Sequence, residues 1–215
     1  MYNKYFKHEK GITGLETAII LIAFIVVAAV FAYTALSAGL FSTQKAQEAV
    51  YAGLKEARST LELKGSVIAT ANNTGSTGTI KQITFVVADV LGGEAMDFTP
   101  PTASSSNNGK ADSTSKNKVI INYVDKNQIV NNLYWTYTAL GTTNNNDILE
   151  AGEKFQITIG SNNVSLAGGN LLNALSAPYL TINQTFTLQV ITAAGAVLII
   201  ERTTPPYIDT KMDLH

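Results

Sequence analysis

The chain has 215 residues, no cysteine, two histidines and a net charge of −1, with only 14% charged residues against about 25% in ordinary globular proteins. The absence of cysteine excludes disulfides, thiolate nucleophiles and Cys-held metals, and His8 and His215, near the two ends, leave no histidine in the body for a Ser-His-Asp triad or a His-ligated metal. The absence of a GxxxxGK[ST], HExxH or GxGxxG pattern weighs against an enzyme and leaves only carboxylate chemistry open, so the expectation is no enzyme and no cofactor; without a Lys/Arg-rich stripe, no nucleic-acid partner is expected either.

The first eleven residues, MYNKYFKHEKG, carry Lys4, Lys7 and Lys10 against Glu9. Positive charge ahead of an apolar run holds that end in the cytoplasm and sends the rest across the membrane. The apolar run follows at once. No charge occurs between Glu16 and Lys45, and within residues 18–41 only Thr34 and Ser37 interrupt the aliphatic and aromatic side chains. Such a run is long enough to cross a bilayer as a helix. No A-x-A-like cleavage site ends it, so it is expected to stay in the mature protein.

Residues 44–64 (QKAQEAVYAGLKEARSTLELK) place Ala46, Val50, Leu54, Ala57 and Leu61 at three- and four-residue steps, with Lys45, Glu48, Lys55 and Arg58 off that stripe. This is the pattern of an amphipathic helix. No proline interrupts residues 12–64 and Gly65 is placed to end the helix, so one helix is expected over residues 12–65. A plain single-pass anchor has little need of that outward extension; a subunit that packs its rod against copies of itself does. Ala28, Ala32, Ala35, Gly39, Ser42, Ala46, Ala49 and Gly53 also recur at three- and four-residue steps, a face of small residues suited to close helix–helix approach. Phe24, Phe31 and Phe41 are expected to project mostly elsewhere.

From residue 66 onward the composition changes. Residues 80–90, 119–123, 133–139, 155–159, 186–192 and 197–202 are short β-branched or aromatic runs separated by Gly, Asn or Pro clusters. They predict an antiparallel β-sandwich over residues 66–215. Ala194-Gly195 reads as a hairpin turn, and a helical turn is expected near residues 170–175. Residues 99–118 (TPPTASSSNNGKADSTSKNK) hold no aromatic and no large aliphatic side chain, so a mobile surface loop is expected there.

Three N-x-[ST] sequons mark candidate glycosylation sites at Asn72, Asn163 and Asn183, the first two in polar loop sequence and the third close to a strand. Asp147, Glu150 and Glu153 cluster in NNNDILEAGE, an oxygen-rich set that could suit Ca²⁺ or Mg²⁺. The spacing departs from the EF-hand pattern, and a solvated turn is the expectation. Thr13-Gly14-Leu15-Glu16 fits a capping box in which Glu16 reaches back to the Thr13 backbone.

The junction Lys10-Gly11/Ile12 resembles the class III signal peptide of archaellins (archaeal flagellins) and type IV pilins. FSTQKAQEAVYAG, NDILEAGEKFQITIG and AGAVLIIERTTPPYID each resemble archaellin segments, so the likeness spans nearly the whole chain. It implies an α+β protein, a long N-terminal α-helix followed by an antiparallel immunoglobulin-like β-sandwich. It also implies a signal peptide over residues 1–11, a filament-core helix over 12–65 and an outer domain over 66–215. A prepilin-type signal peptidase would cut between Gly11 and Ile12. Glu16 would then stand at the fifth mature position, where in type IV pilins a Glu pairs with a neighbour's N-terminal amine.

The implied function is a structural subunit of the archaellum filament that swims rather than catalyses. Its implied partners are copies of itself and possibly other archaellins, together with the archaellum membrane platform and motor ATPase. An extracellular filament and a membrane-held precursor are the implied locations. The alternatives are an adhesive archaeal type IV pilus subunit and a helix-anchored binding or enzymatic domain.

Overall fold

The computed structural model describes the chain except residues 1–8, 59, 91–92, 145, 162–166 and 215; the side chains of residues 9–13 and 56–58 are also outside it. It divides into two units, Met1–Gly53 and Leu54–His215.

The first unit is helix. α1 runs unbroken over Glu9–Arg58, about 75 Å at 1.5 Å per residue. Its few polar residues bond back into it: the hydroxyls of Thr17, Thr34 and Thr43 donate to the carbonyls of Gly14, Phe31 and Leu40 at 2.9–3.0 Å. An apolar helix thereby carries threonines without exposing unsatisfied donors to lipid or protein. Beyond the apolar stretch the surface becomes charged, with Lys45 paired to Glu48 at 2.6 Å.

The helix ends earlier than residues 44–65 suggest. After Arg58 the chain enters β1 (Leu61–Asn73), so the 12–65 helix is corrected at its end. Leu61 and Leu63 fit a helical stripe, but they also alternate. Pairing of Leu61–Lys64 with the next strand buries Leu61 in the sandwich core, and that tertiary burial overrides local propensity. Gly65 ends no helix. It sits in β1 at φ +77°, where the register slips between Lys64 and Ile68, a bulge that suits a residue without Cβ.

The second unit is an antiparallel sandwich, as expected. Its further strands are β2 (Thr79–Asp89), β3 (Met96–Asp97), β4 (Ile120–Asp125), β5 (Ile129–Val130), β6 (Trp135–Leu140), β7 (Ile148–Leu149), β8 (Lys154–Ile159), β9 (Thr185–Ile191), β10 (Val197–Thr203) and β11 (Lys211–Leu214). One sheet has the order β11-β1-β2-β8-β6, the other β10-β9-β4-β5, and β3 pairs with β7 alone. All six predicted β runs are strands within a few residues, and the helical turn is α2 (Leu171–Ala174), capped by Asn170. The hairpin turn is also present: Gly195 donates to the Thr192 carbonyl between β9 and β10.

Alternating residues of both sheets fill the core, with Phe85, Tyr123, Trp135, Phe155 and Phe186 almost fully buried. Phe98 meets Trp135 and Phe155 edge-on at 6.0 and 5.7 Å, and Tyr123 stacks on Phe186 at 5.8 Å. The strand β11, which the sequence pattern does not announce, closes the edge of β1 (Val67↔Leu214 to Thr70↔Lys211), with Ser66 donating to Asp213 at 2.6 Å.

Residues 99–118 are held against the body rather than loose. Bridges join Ala103 to Ala111 and Lys110 to Leu133, Thr102 donates to Ser115, and Asn117 donates to the Val119 carbonyl. Polar loop chemistry (Asx turns at Asp112 and Asn108) supplies the order that apolar burial cannot.

Candidate assembly surface and modification sites

Every residue from Gly14 to Lys55 is exposed. Along α1, large apolar side chains stand bare, from Leu15 at 65% through Phe24 at 76% and Phe31 at 75% to Leu54 at 52%. Covering such a side chain contributes roughly 1.5–3 kcal/mol, so this surface belongs in lipid or against other protein. The stretch Gly14–Lys55 is long and apolar enough to cross a membrane.

The small residues Ala28, Ala32, Ala35, Gly39, Ser42, Ala46, Ala49 and Gly53 lie along one side of the regular helix, all exposed. At Gly39 and Gly53 an added Cβ would meet nothing within 4 Å, so nothing inside the chain demands glycine there. The phenylalanines correct the expectation. At about 100° per residue, the steps 24–28, 28–31 and 31–35 put Phe24 and Phe31 on the same side as Ala28 and Ala35. Only Phe41 points well away. The face therefore mixes large and small side chains in its first half and is mostly small in its second, where Val50 shares the bearing of Ala32, a profile fit for knobs seated in holes.

Gly11 and Ile12 lie within α1, their side chains outside the described set. Glu16 is exposed. Because α1 already runs from Glu9, Thr13 is interior to the helix here and does not cap it.

Asn72 is exposed near the end of β1 rather than in a loop, followed by exposed Thr74. Asn183 precedes β9 in an exposed left-handed turn at φ +50°, which presents its amide outward more openly than its nearness to a strand suggests. Asn163 falls among residues 162–166, outside the described set.

The acidic loop spends its carboxylates on itself. Glu153 is buried and accepts from the backbone N–H groups of Asn144 at 3.2 Å and Glu150 at 3.1 Å, while Asp147 accepts from the Tyr137 hydroxyl. Burial, reinforced by that hydrogen bond to Asp147, pushes the Tyr137 phenol up to about 12. The arrangement braces the β6–β8 connection. An open cleft of about 350 Å³ lies between Lys55, Glu94, Asp97, Lys118 and the Thr192–Ala194 turn. Lys55 and Glu94 are 3.3 Å apart. The Thr99 hydroxyl and then its backbone N–H hold the Asp97 carboxyl below its ordinary value. The cleft's charges thus answer one another, Lys55 with Glu94 and Lys118 with Asp97.

The sequence model for archaeal-type flagellin matches residues 11–202. The chain belongs to the archaeal-type flagellin family. It is 36% identical over 220 residues to the probable flagellin 1 of Archaeoglobus fulgidus, covering 98% of both chains. The solved archaeal flagellum of Methanospirillum hungatei matches with a TM-score of 0.60 and 30% identity over 94% of this chain and 98% of that one. A crystal structure of an archaeal flagellin from Methanocaldococcus jannaschii shares the fold, with a TM-score of 0.51 and 11% identity over 72% of this chain and 96% of that one. The chain is a structural subunit of the archaellum, the filament of archaeal motility, located at the cell surface, and not an enzyme. The adhesive-pilus and anchored-enzyme alternatives are not favoured.

Proposed function

We propose that this chain is made as a membrane precursor, loses residues 1–11 to a prepilin-type signal peptidase, and joins the filament through α1. The archaellum platform and motor ATPase would take it from bilayer to polymer, in company with copies of itself and possibly other archaellins. The observation that carries this reading is the 50-residue helix with every side chain from Gly14 to Lys55 exposed. Lipid tails are as apolar as leucine, so leaving the bilayer for a helical core gains little from the hydrophobic effect, and close packing must supply the association. The Ala28, Ala32, Ala35, Gly39 and Ala46 face supports that role. Cleavage after Gly11 would free an amine at Ile12 for the Glu16 carboxylate of a neighbour, since a carboxylate in a helical core needs a partner.

N-terminal sequencing of sheared surface filaments tests the proposal: Ile12 is the expected first residue. Gly11→Ile should block a peptidase pocket made for a residue without a side chain and leave uncut chain in the membrane. Normal filaments from that variant overturn the processing step. Glycans on Asn72, Asn163 or Asn183 are the expected modification, read as glycopeptides and as excess intact mass; unmodified peptides over all three asparagines overturn it.

A further inference from the structure

The two sheets differ on the sides they turn away from the core. In the five-stranded sheet, cross-strand register aligns Ile68, Thr84, Thr158 and Thr136 in one outward row and Lys64, Val86, Gln156 and Thr138 in the next; Ile68 and Val86 are half-buried there, so the surface left to water is mostly polar. In the four-stranded sheet the outward rows are Ile120–Ile191–Val197 and Asn122–Gln189–Ile199. Ile199 is 62% exposed and Val197 46%. β10 shows the cause in sequence: VLII is apolar at four successive positions, so both of its faces are apolar although only one meets the core. Neighbouring exposed apolar side chains on one face only, unlike single scattered ones, suit a surface that another chain covers.

We infer that the outer face of the four-stranded sheet is a contact between copies of this chain in the filament. The inference rests on the filament role and goes beyond the helical core to the outer domain. Only two residues, 59 and 60, separate α1 from β1. Packed helices lie about 8–10 Å apart, and two sheets stacked about 10 Å apart with side chains on both outer faces are wider than that spacing. Helix packing on so short a tether therefore crowds neighbouring β-domains together, at effective concentrations in about the millimolar range. A modest patch gains nothing as a free-solution interface but contributes in that setting. A contact in a helical polymer is heterologous, so Ile199 and Val197 face a different surface of the neighbour.

The chain has no cysteine, which allows a direct test on the full-length protein. Ile199→Cys is labelled with a maleimide in purified sheared filaments and in the same subunits after dissociation, the dissociated subunits giving the intrinsic reactivity of the thiol. It is expected to react about tenfold more slowly in filaments. Val197→Cys repeats the measurement if Ile199→Cys does not assemble. Equal labelling of the β10 cysteine in both states overturns the inference. So does protection on intact cells that disappears in purified filaments, because another surface component then covers the face. Failure of the filament role itself reads differently: wild-type chain is then missing from sheared filaments altogether.

Discussion

In α1 the large apolar side chains between Leu15 and Leu54 all stand exposed, whereas in the β-domain Phe85, Phe98, Trp135, Phe155 and Phe186 are sealed from solvent. The two regions hold similar side chains and differ in where their partners lie. The sandwich closes on itself through long-range strand pairing, so its stability is a property of one chain. The helix satisfies its own backbone but leaves its surface to lipid or to other copies, so its packing energy exists only in an assembly. Changes in the two regions should therefore appear in different measurements.

The largest expected effect is on the sandwich alone. Phe155→Ala removes a fully buried ring that packs on Phe98 and Tyr137 and should cost about 3–5 kcal/mol of β-domain stability. Denaturant unfolding followed by near-UV circular dichroism measures it, and a loss below about 0.5 kcal/mol, the scale of an ordinary surface change, would count against the core described.

Ala32→Phe or Ala35→Leu should do the reverse. Added bulk in a packed interface costs about 1–3 kcal/mol, repeated at each subunit, so filaments become few or fragile while unfolding of the β-domain stays unchanged. Val30→Phe, on the far side of the helix, should be milder. Filaments of wild-type length and stability from Ala32→Phe would refute the small-residue face.

A smaller effect follows from Tyr137. Its phenol is raised from 10.0 to about 12 in the folded protein. The folded state thus favours the protonated form. Its contribution to stability is complete below about pH 10 and is lost as pH rises to about 12. Tyr137→Phe should flatten part of the fall in β-domain stability over that window, measured by unfolding at successive pH values; an unaltered slope would show that other groups govern it.

The smallest expected change is Ser66→Ala, which deletes the hydrogen bond to Asp213 that fastens β11 beside the bulge. The bond is exposed, and a loss of about 0.5–1.5 kcal/mol is expected. Faster hydrogen exchange confined to β11 would locate it, while uniform acceleration across the sandwich would contradict a local role.

Much of this protein is legible from local pattern. Absence of charge from residue 17 to residue 44 announces α1, because a helix needs only its own neighbours to bond its backbone and its surface records its surroundings directly. The β runs around Phe155, Phe186 and Val197 likewise show themselves as short β-branched and aromatic segments between turn residues. What remained hidden depends on partners distant in sequence. Leu61–Lys64 satisfies a helical stripe and a strand alternation equally, and pairing with Val86–Asp89 decides between them. β11, only four residues long, is a strand because Val67–Thr70 offers it an edge. Residues 99–118 have no apolar pattern to read, and their order comes from hydrogen bonds that form only once the sandwich has placed Leu133 and Val119 beside them. Composition and periodicity alone determined a helix bound for lipid or for its own kind, joined to a β-domain without catalytic equipment. Where the helix stops, how the strands are ordered and which outer face stays apolar were decided by tertiary pairing, since a β-strand, unlike a helix, finds its hydrogen-bond partners elsewhere in the chain.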